Sequence, residues 1–184
     1  MIKSVAFITV IGTCHAAIAD ACPVIISNMD EKDQLYADLL AAPTEMAGIG
    51  FNNELWEMWI TAPDAKAQDL LDSGRERIRV ADYDKAVEYF TDLIAYCPHY
   101  AEGWNQRAYV HFLSLNYDAS LEDISKTLEI EPRHFGALAG RATILISMGR
   151  TEVGYIALRE ALALNPWLSE RHLLPTHSPQ GEDI

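Results

Sequence analysis

The sequence predicts an all-α protein built as a stack of antiparallel helix pairs. Three prolines, Pro98, Pro132 and Pro166, are equally spaced along the chain, near the ends of three similar segments. Their spacing equals the length of one helix–turn–helix unit in a helical repeat array, about 34 residues, and a proline cannot continue the helix before it. The 184 residues are enough for one domain with a hydrophobic core.

Residues 1–19 have the pattern of a secretory signal peptide. Lys3 precedes an apolar run over residues 5–11, and the small residues Ala17 and Ala19 stand before Asp20. The run is shorter than the ~20 apolar residues that a membrane span needs. An uncleaved anchor, a disordered start and a lipidated cysteine are the alternatives. We expect cleavage after residue 19, no transmembrane segment in the mature chain, and a periplasmic or secreted location in a bacterium.

Two cysteines, Cys22 and Cys97, follow the predicted cleavage site. An oxidising compartment favours a disulfide between them, which would tie the N-terminal segment to the first full repeat. The alternative is two unpaired thiols. A zinc site is not expected, because Cys97 and His99 form a single pair of ligands with no second pair at a suitable spacing.

The net charge of −13 bears on the kind of partner. An acidic protein repels phosphate backbones, so nucleic-acid binding is not expected. The charge could steer a basic partner or could simply keep the protein soluble.

The three segments, residues 67–100, 101–134 and 135–168, carry small and large residues at helical spacing. A small residue on one helix beside a large one on the next lets the two helices approach closely. The residues that we assign to structural positions of the repeats are Gly74, Tyr83, Ala86, Phe90, Pro98, Trp104, Ala108, Tyr117, Pro132, Ala142 and Pro166.

With these residues, the segments resemble tetratricopeptide repeats (TPRs), and the chain resembles an exported bacterial member of that family. Ser120 and Gly154 depart from the pattern, because the family usually has alanine at both positions. The resemblance implies a right-handed α-solenoid whose work is the binding of a protein or peptide without catalysis. A self-assembling structural protein is the first alternative, and an enzyme that depends on a metal or cofactor is the second.

The segments beside the repeats are expected to close the ends of the array. Residues 20–66 would form a linker and a degenerate helix pair, with helices over 31–42 and 44–61 that cap the open N-terminal end. Residues 167–174 would form one or two helical turns over the last repeat, and residues 176–184 a disordered tail.

The functional surface implied by the resemblance is the concave groove lined by the first helix of each pair. Aromatic residues beside an arginine suit peptide recognition; the alternative is that Phe112 packs inward and the groove is inert. One variant of the family grips C-terminal carboxylates with basic side chains, but Leu71, Gly136 and Gly140 stand at those positions here. The predicted groove residues are Leu71, Arg75, Ile78, Glu102, Asn105, Tyr109, Phe112 and Thr143.

No catalytic motif is present in the sequence. It has no glycine-rich phosphate loop, no nucleophile elbow and no histidine pair at helical metal-binding spacing. We therefore expect neither enzyme activity nor a cofactor or metal. Arg107 and Asp123 resemble a family signature in which an ion pair joins the two helices of a repeat, and we expect them to have that structural role.

Overall fold

The computed structural model describes residues 22–24 and 29–175, and it is helical without strands over those residues. The all-α prediction is therefore confirmed for the described part of the chain. The predicted signal peptide, residues 1–19, and the predicted disordered tail, residues 176–184, lie outside the described residues. The helices are α1 Met29–Ala41, α2 Glu45–Ile60, α3 Ala65–Arg79, α4 Tyr83–Tyr96, α5 Ala101–Leu113, α6 Tyr117–Ile130, α7 Phe135–Ser147 and α8 Thr151–Leu164, followed by a short 3-10 helix, Ser169–Leu173.

Helices α3–α4, α5–α6 and α7–α8 form three pairs that share one turn geometry. The turn residue of each pair has a left-handed backbone: φ is 57° at Ala81, 60° at Leu115 and 77° at Gly149. These three positions have the same spacing as the three prolines. A left-handed backbone costs a residue other than glycine about 1–2 kcal/mol. Ala81 and Leu115 therefore adopt the turn of the repeat although their own backbone preference opposes it.

Tight packing joins the two helices of each pair. In the first pair, a Cβ added to Gly74 would lie 2.5 Å from the ring of Phe90. The two departures from the family pattern have similar explanations. The Ser120 hydroxyl donates a hydrogen bond to the carbonyl of Ala108 at 2.7 Å, and a Cβ on Gly154 would lie 2.6 Å from Ile146. Both residues therefore suit the close approach of their helices.

The first two helices, α1 and α2, form a hairpin that packs on the third repeat. Tyr36 and Leu39 of α1 and Leu55 and Trp59 of α2 share one buried cluster with Phe135 of α7. The prediction that this hairpin caps the N-terminal end of the array is therefore wrong. The physical reason is the difference between the surfaces of α3 and α7. The outer face of α3 carries the exposed charges Asp69, Asp72 and Arg79, whereas the start of α7 offers apolar surface.

Polar contacts reinforce this long-range packing. The hydroxyl of Tyr36 donates to the carbonyl of Arg133, and the buried Lys32 forms an ion pair with Glu131. These contacts join residues almost a hundred positions apart in the chain. The hairpin is thus attached to the loop that leads into the third repeat.

The segment after α8 covers the last repeat and also meets the hairpin. Leu173 and Leu174 pack against the cluster of α7 and α8. The indole N–H of Trp167 donates to the carbonyl of Leu39 in α1 at 3.2 Å, and Arg171 forms an ion pair with Glu45 of α2 at 2.7 Å. The N-terminal hairpin and the C-terminal segment are therefore joined.

Candidate functional site

A cavity of about 490 Å³ lies on the concave side, between the first helices of the three repeats. Its volume is within the ~300–1,000 Å³ typical of ligand-binding clefts. Six of the eight predicted groove residues line it: Arg75, Ile78, Asn105, Tyr109, Phe112 and Thr143.

Aromatic and aliphatic side chains form much of the cavity wall. Tyr109 is 49% exposed, although it is a large aromatic residue on a helix. Phe112 is half-buried and contacts Tyr117 with 6.0 Å between ring centroids. Gly140 of α7 has no side chain on the opposite wall, and a Cβ added there would meet only Ile124, at 3.5 Å. The cavity therefore offers an apolar surface with amide and hydroxyl groups at its edges.

Two predicted groove residues are not available to a ligand. Leu71 is fully buried and packs with Ala67, Ala86 and Phe90 between α3 and α4. Glu102 is 1% exposed and is bonded within the protein. The prediction that these two side chains line the groove is wrong, because Leu71 packs between α3 and α4 and Glu102 is held in a buried polar network.

Glu102 is the acceptor at the centre of a buried polar network. Its carboxylate accepts hydrogen bonds from the amides of Asn105 at 3.0 Å and Gln106 at 2.6 Å. The Nε2 atom of His134, which is fully buried, lies 3.0 Å from the same carboxylate. The network joins the second repeat to the start of the third beneath the cavity.

The contact of the other ring nitrogen of His134, Nδ1, determines the tautomer of the imidazole. The backbone N–H of Ala137 donates to Nδ1 at 3.1 Å, which caps the N-terminus of α7. Since Nδ1 accepts, Nε2 must carry the proton that bonds Glu102. The ring of Trp59 stacks on this imidazole with 3.8 Å between centroids. The histidine thus fixes the hairpin, the second repeat and the third repeat at one point.

The hairpin closes one end of the cavity. Trp56 of α2 lies against α7, where a Cβ on Gly136 would be 2.6 Å from the indole ring. Beyond Trp56 lies a second cleft of about 640 Å³ between α2 and the C-terminal segment. Trp56, Gly136 and Glu170 line both spaces and therefore form the partition between them.

Sequence reasoning misses Trp56 and Glu170 as cavity residues. The pattern places Trp56 in the core of an end-capping hairpin, and Glu170 in a C-terminal cap. Neither position has a local signal for a role in the groove, because both reach it only through contacts between distant parts of the chain.

Arg107 and Asp123 form a two-pronged ion pair between α5 and α6, with distances of 2.8 and 2.7 Å. Arg107 also donates to the hydroxyl of Thr91 in the preceding repeat at 3.1 Å. His111 lies 3.8 Å from Asp123. Burial lowers the pKa of His111, and the positive charge of Arg107 adds to that effect while Asp123 opposes it. These contacts are consistent with a structural pair outside the cavity.

Cys22 and Cys97 are joined by a disulfide, with 5.1 Å between their Cα atoms. Cys97 is buried at the end of α4. Its cluster includes Ile60 and Ala62, which lie at the end of the hairpin. The chain is therefore attached to the first repeat both before and after the hairpin.

Over residues 22–24 and 29–175, no three or more histidine, cysteine or acidic side chains are grouped as metal ligands would be. None of the helices in this part of the chain combines the length and the apolar character of a membrane span.

Known proteins resemble this chain in sequence and in fold. No family model matches it. It is 34% identical over 134 residues to a TPR repeat-containing protein of Rhizobium etli, and the match covers 73% of this chain and 66% of that relative, just short of two thirds of its length.

Solved structures share the fold. The TPR2B domain of yeast Sti1, in a complex with pHsp70, has a TM-score of 0.56 at 24% identity, over 60% of this chain and 91% of that domain. The first TPR domain of Spaghetti (RPAP3), bound to the HSP90 peptide SRMEEVD, has a TM-score of 0.56 at 18% identity, over 58% of this chain and 86% of that one.

The fold and the relative's name agree on the class of protein. Three helix pairs with one repeated period are similar to solved TPR domains, and the Rhizobium etli relative carries the family's name. The tetratricopeptide repeat family is thus supported as the class of this chain.

Proposed function

We propose that this chain is a non-catalytic adaptor that binds a protein or peptide in the concave cavity. The observation that carries the proposal is the cavity itself, which exposes Tyr109 and Phe112 beside polar groups. Tyrosine is enriched among the residues that contribute most to protein–protein affinity. Two proteins with the same fold are described with a bound partner, pHsp70 and an HSP90 peptide, and that likeness supports a binding role.

The proposal includes export to the periplasm of a bacterium, where the partner would belong to the cell envelope. The signal-like pattern of residues 1–19 and the disulfide between Cys22 and Cys97 support this part. Cell fractionation and N-terminal sequencing test it: a periplasmic chain that starts at Asp20 is expected, and a reduced chain in the cytoplasm with residues 1–19 retained would contradict it.

Photo-crosslinking in intact cells, followed by mass spectrometry, tests the binding face. We expect the double variant Tyr109→Ala/Phe112→Ala to lose the captured partner while it keeps its helix content. The matched control is Val153→Ala/Ile156→Ala, which removes two exposed apolar side chains from α8, outside the cavity. Loss of the partner with the control pair alone would move the binding face away from the cavity.

Self-assembly is the second candidate, and the exposure of Val153 and Ile156 favours it. They are 46% and 56% exposed on the last helix of the array. If the last repeat stacks on another copy, native mass should rise with concentration, and the Val153→Ala/Ile156→Ala variant should stay monomeric. A wild-type chain that remains monomeric at high concentration would eliminate this candidate.

A further inference from the structure

The cavity is closed at one end by the chain's own hairpin. In an open solenoid, the concave surface is continuous from repeat to repeat, so an extended partner can lie along its whole length. Here Trp56 of α2 packs onto Gly136, in the first turn of α7. The hairpin belongs to a core shared with Phe135 and Leu138, so it is a fixed wall. A partner therefore reaches the closed end of the cavity with a chain end, not with the middle of a segment.

The closed end of the cavity is acidic and aromatic. Arg75 and Glu170 are the charged residues among the described side chains that line this cavity, and they belong to different elements, α3 and the segment after α8. Glu170 lines the closed end together with Trp56, and its described partner is the hydroxyl of Ser169 at 3.1 Å. A carboxylate beside an indole ring favours a cation, through charge and through the ring face.

Neither of the two arginines near the cavity has a described contact with Glu170. Arg171 lines the cleft beyond the partition, where it forms the ion pair with Glu45 and donates to the carbonyls of Trp167 and Leu168. Arg75 lies 3.8 Å from Asp72. A positive charge beside Glu170 would therefore come from a ligand, and the net charge of −13 attracts cationic ligands from a distance.

From these observations we infer that the cavity receives the free N-terminus of a partner chain. The ammonium group lies between Trp56 and Glu170, and a large apolar first side chain lies on Phe112, Ile78 and Ile144. Capture of a chain terminus is an established mode of peptide recognition. The inference rests on the proposed function, because it specifies what the adaptor's cavity binds.

Nuclear magnetic resonance titration of the full-length chain tests the inference with three small probes. L-phenylalaninamide carries the ammonium, N-acetyl-L-phenylalaninamide is uncharged, and N-acetyl-L-phenylalanine carries a carboxylate. At about pH 6.5 an α-amino group is protonated. We expect L-phenylalaninamide to shift the indole N–H signal of Trp56 and the signals of Tyr109, with a dissociation constant about three- to fivefold lower than that of the uncharged probe.

A matched pair of variants identifies the carboxylate. Glu170→Gln should remove the advantage of the charged probe, because it removes the negative charge and keeps the size of the side chain. Glu152→Gln makes the same change on α8, outside the cavity lining, and should keep the advantage. Retention of the advantage in Glu170→Gln would overturn the assignment of the ammonium to this residue.

The remaining outcomes separate this inference from the proposed function. Equal binding of the charged and uncharged amides overturns the selection of an N-terminus, while the cavity stays a binding site for apolar groups. Tighter binding of N-acetyl-L-phenylalanine overturns it in favour of Arg75 as the anchor of a carboxylate. If none of the probes shifts the cavity signals, the inference is overturned, and the crosslinking experiment alone decides whether a larger partner binds there.

Discussion

Replacement of His134 by alanine should be among the most destabilising single changes in this protein. The variant leaves the buried carboxylate of Glu102 without its imidazole partner, and it removes the cap of α7 and the stack on Trp59. A buried carboxylate that loses a hydrogen-bond donor costs about 3 kcal/mol, and loss of a helix N-cap costs about 1 kcal/mol. Because His134 supplies both contacts, we expect the free energy of unfolding to fall by about 4 kcal/mol in His134→Ala.

Urea denaturation followed by far-UV circular dichroism measures this change. In a protein of this size, a loss of about 4 kcal/mol corresponds to a melting temperature roughly 8–16 °C lower. The exposed His99 provides the control, since surface substitutions usually change stability by less than about 0.5 kcal/mol.

A second substitution tests the reason for the loss. If the uncompensated carboxylate is the main cost, Glu102→Gln should restore part of the stability when it is added to His134→Ala, although it removes a native side chain. A loss below about 1 kcal/mol for His134→Ala alone, or no recovery in the double variant, would refute the reasoning that a buried charge depends on this histidine.

Three further changes probe the repeats and the disulfide. Gly74→Ala should destabilise the fold by about 1–3 kcal/mol in thermal melts, because its Cβ would lie 2.5 Å from the ring of Phe90; an unchanged melting temperature would show that the first pair tolerates more space. Cys22→Ser opens a covalent loop with a sequence separation of 75 and should lower the free energy of unfolding by about 4 kcal/mol. The comparison is with the wild type in the presence and absence of reductant, and equal stability of the oxidised and reduced wild type would contradict this cost. The pKa of His111 is lower in the folded protein than in the unfolded chain, so the unfolded chain binds a proton more readily. The stability that neutral His111 contributes is therefore lost as the pH falls below the pKa of the unfolded chain and through the lowered pKa of the folded protein. His111→Asn should reduce the loss of stability on acidification, and a pH profile identical to that of the wild type would exclude this role.

The repeats could be predicted from the sequence because their determinants are local and periodic. Pro98, Pro132 and Pro166 mark the spacing, and Gly74 beside Phe90 marks the packing of one pair. The observed helices α3 to α8 follow the predicted repeats, except that α3 already begins at Ala65. Such features recur at fixed intervals, so one sequence is enough to reveal them.

The position of the hairpin could not be predicted in the same way. The helical spacing of Tyr36, Leu39 and Trp59 indicates two helices that must bury an apolar face. The pattern does not say which surface covers that face, and the answer here is Phe135 of the third repeat. Trp56 and Glu170 form the partition of the cavity only because the hairpin packs there. Their role as site residues could therefore not be predicted from the sequence either.

The hairpin also changes how the array should lose its structure. Stacked repeats normally contact only their neighbours, and their stability is close to a sum of local terms, so end repeats open first. In this protein α1 and α2 connect the loop before α7 and the segment after α8 to the chain that precedes the first repeat. The last repeat can then detach only when the hairpin core also opens. The three repeats are expected to unfold together, as a closed globular domain does.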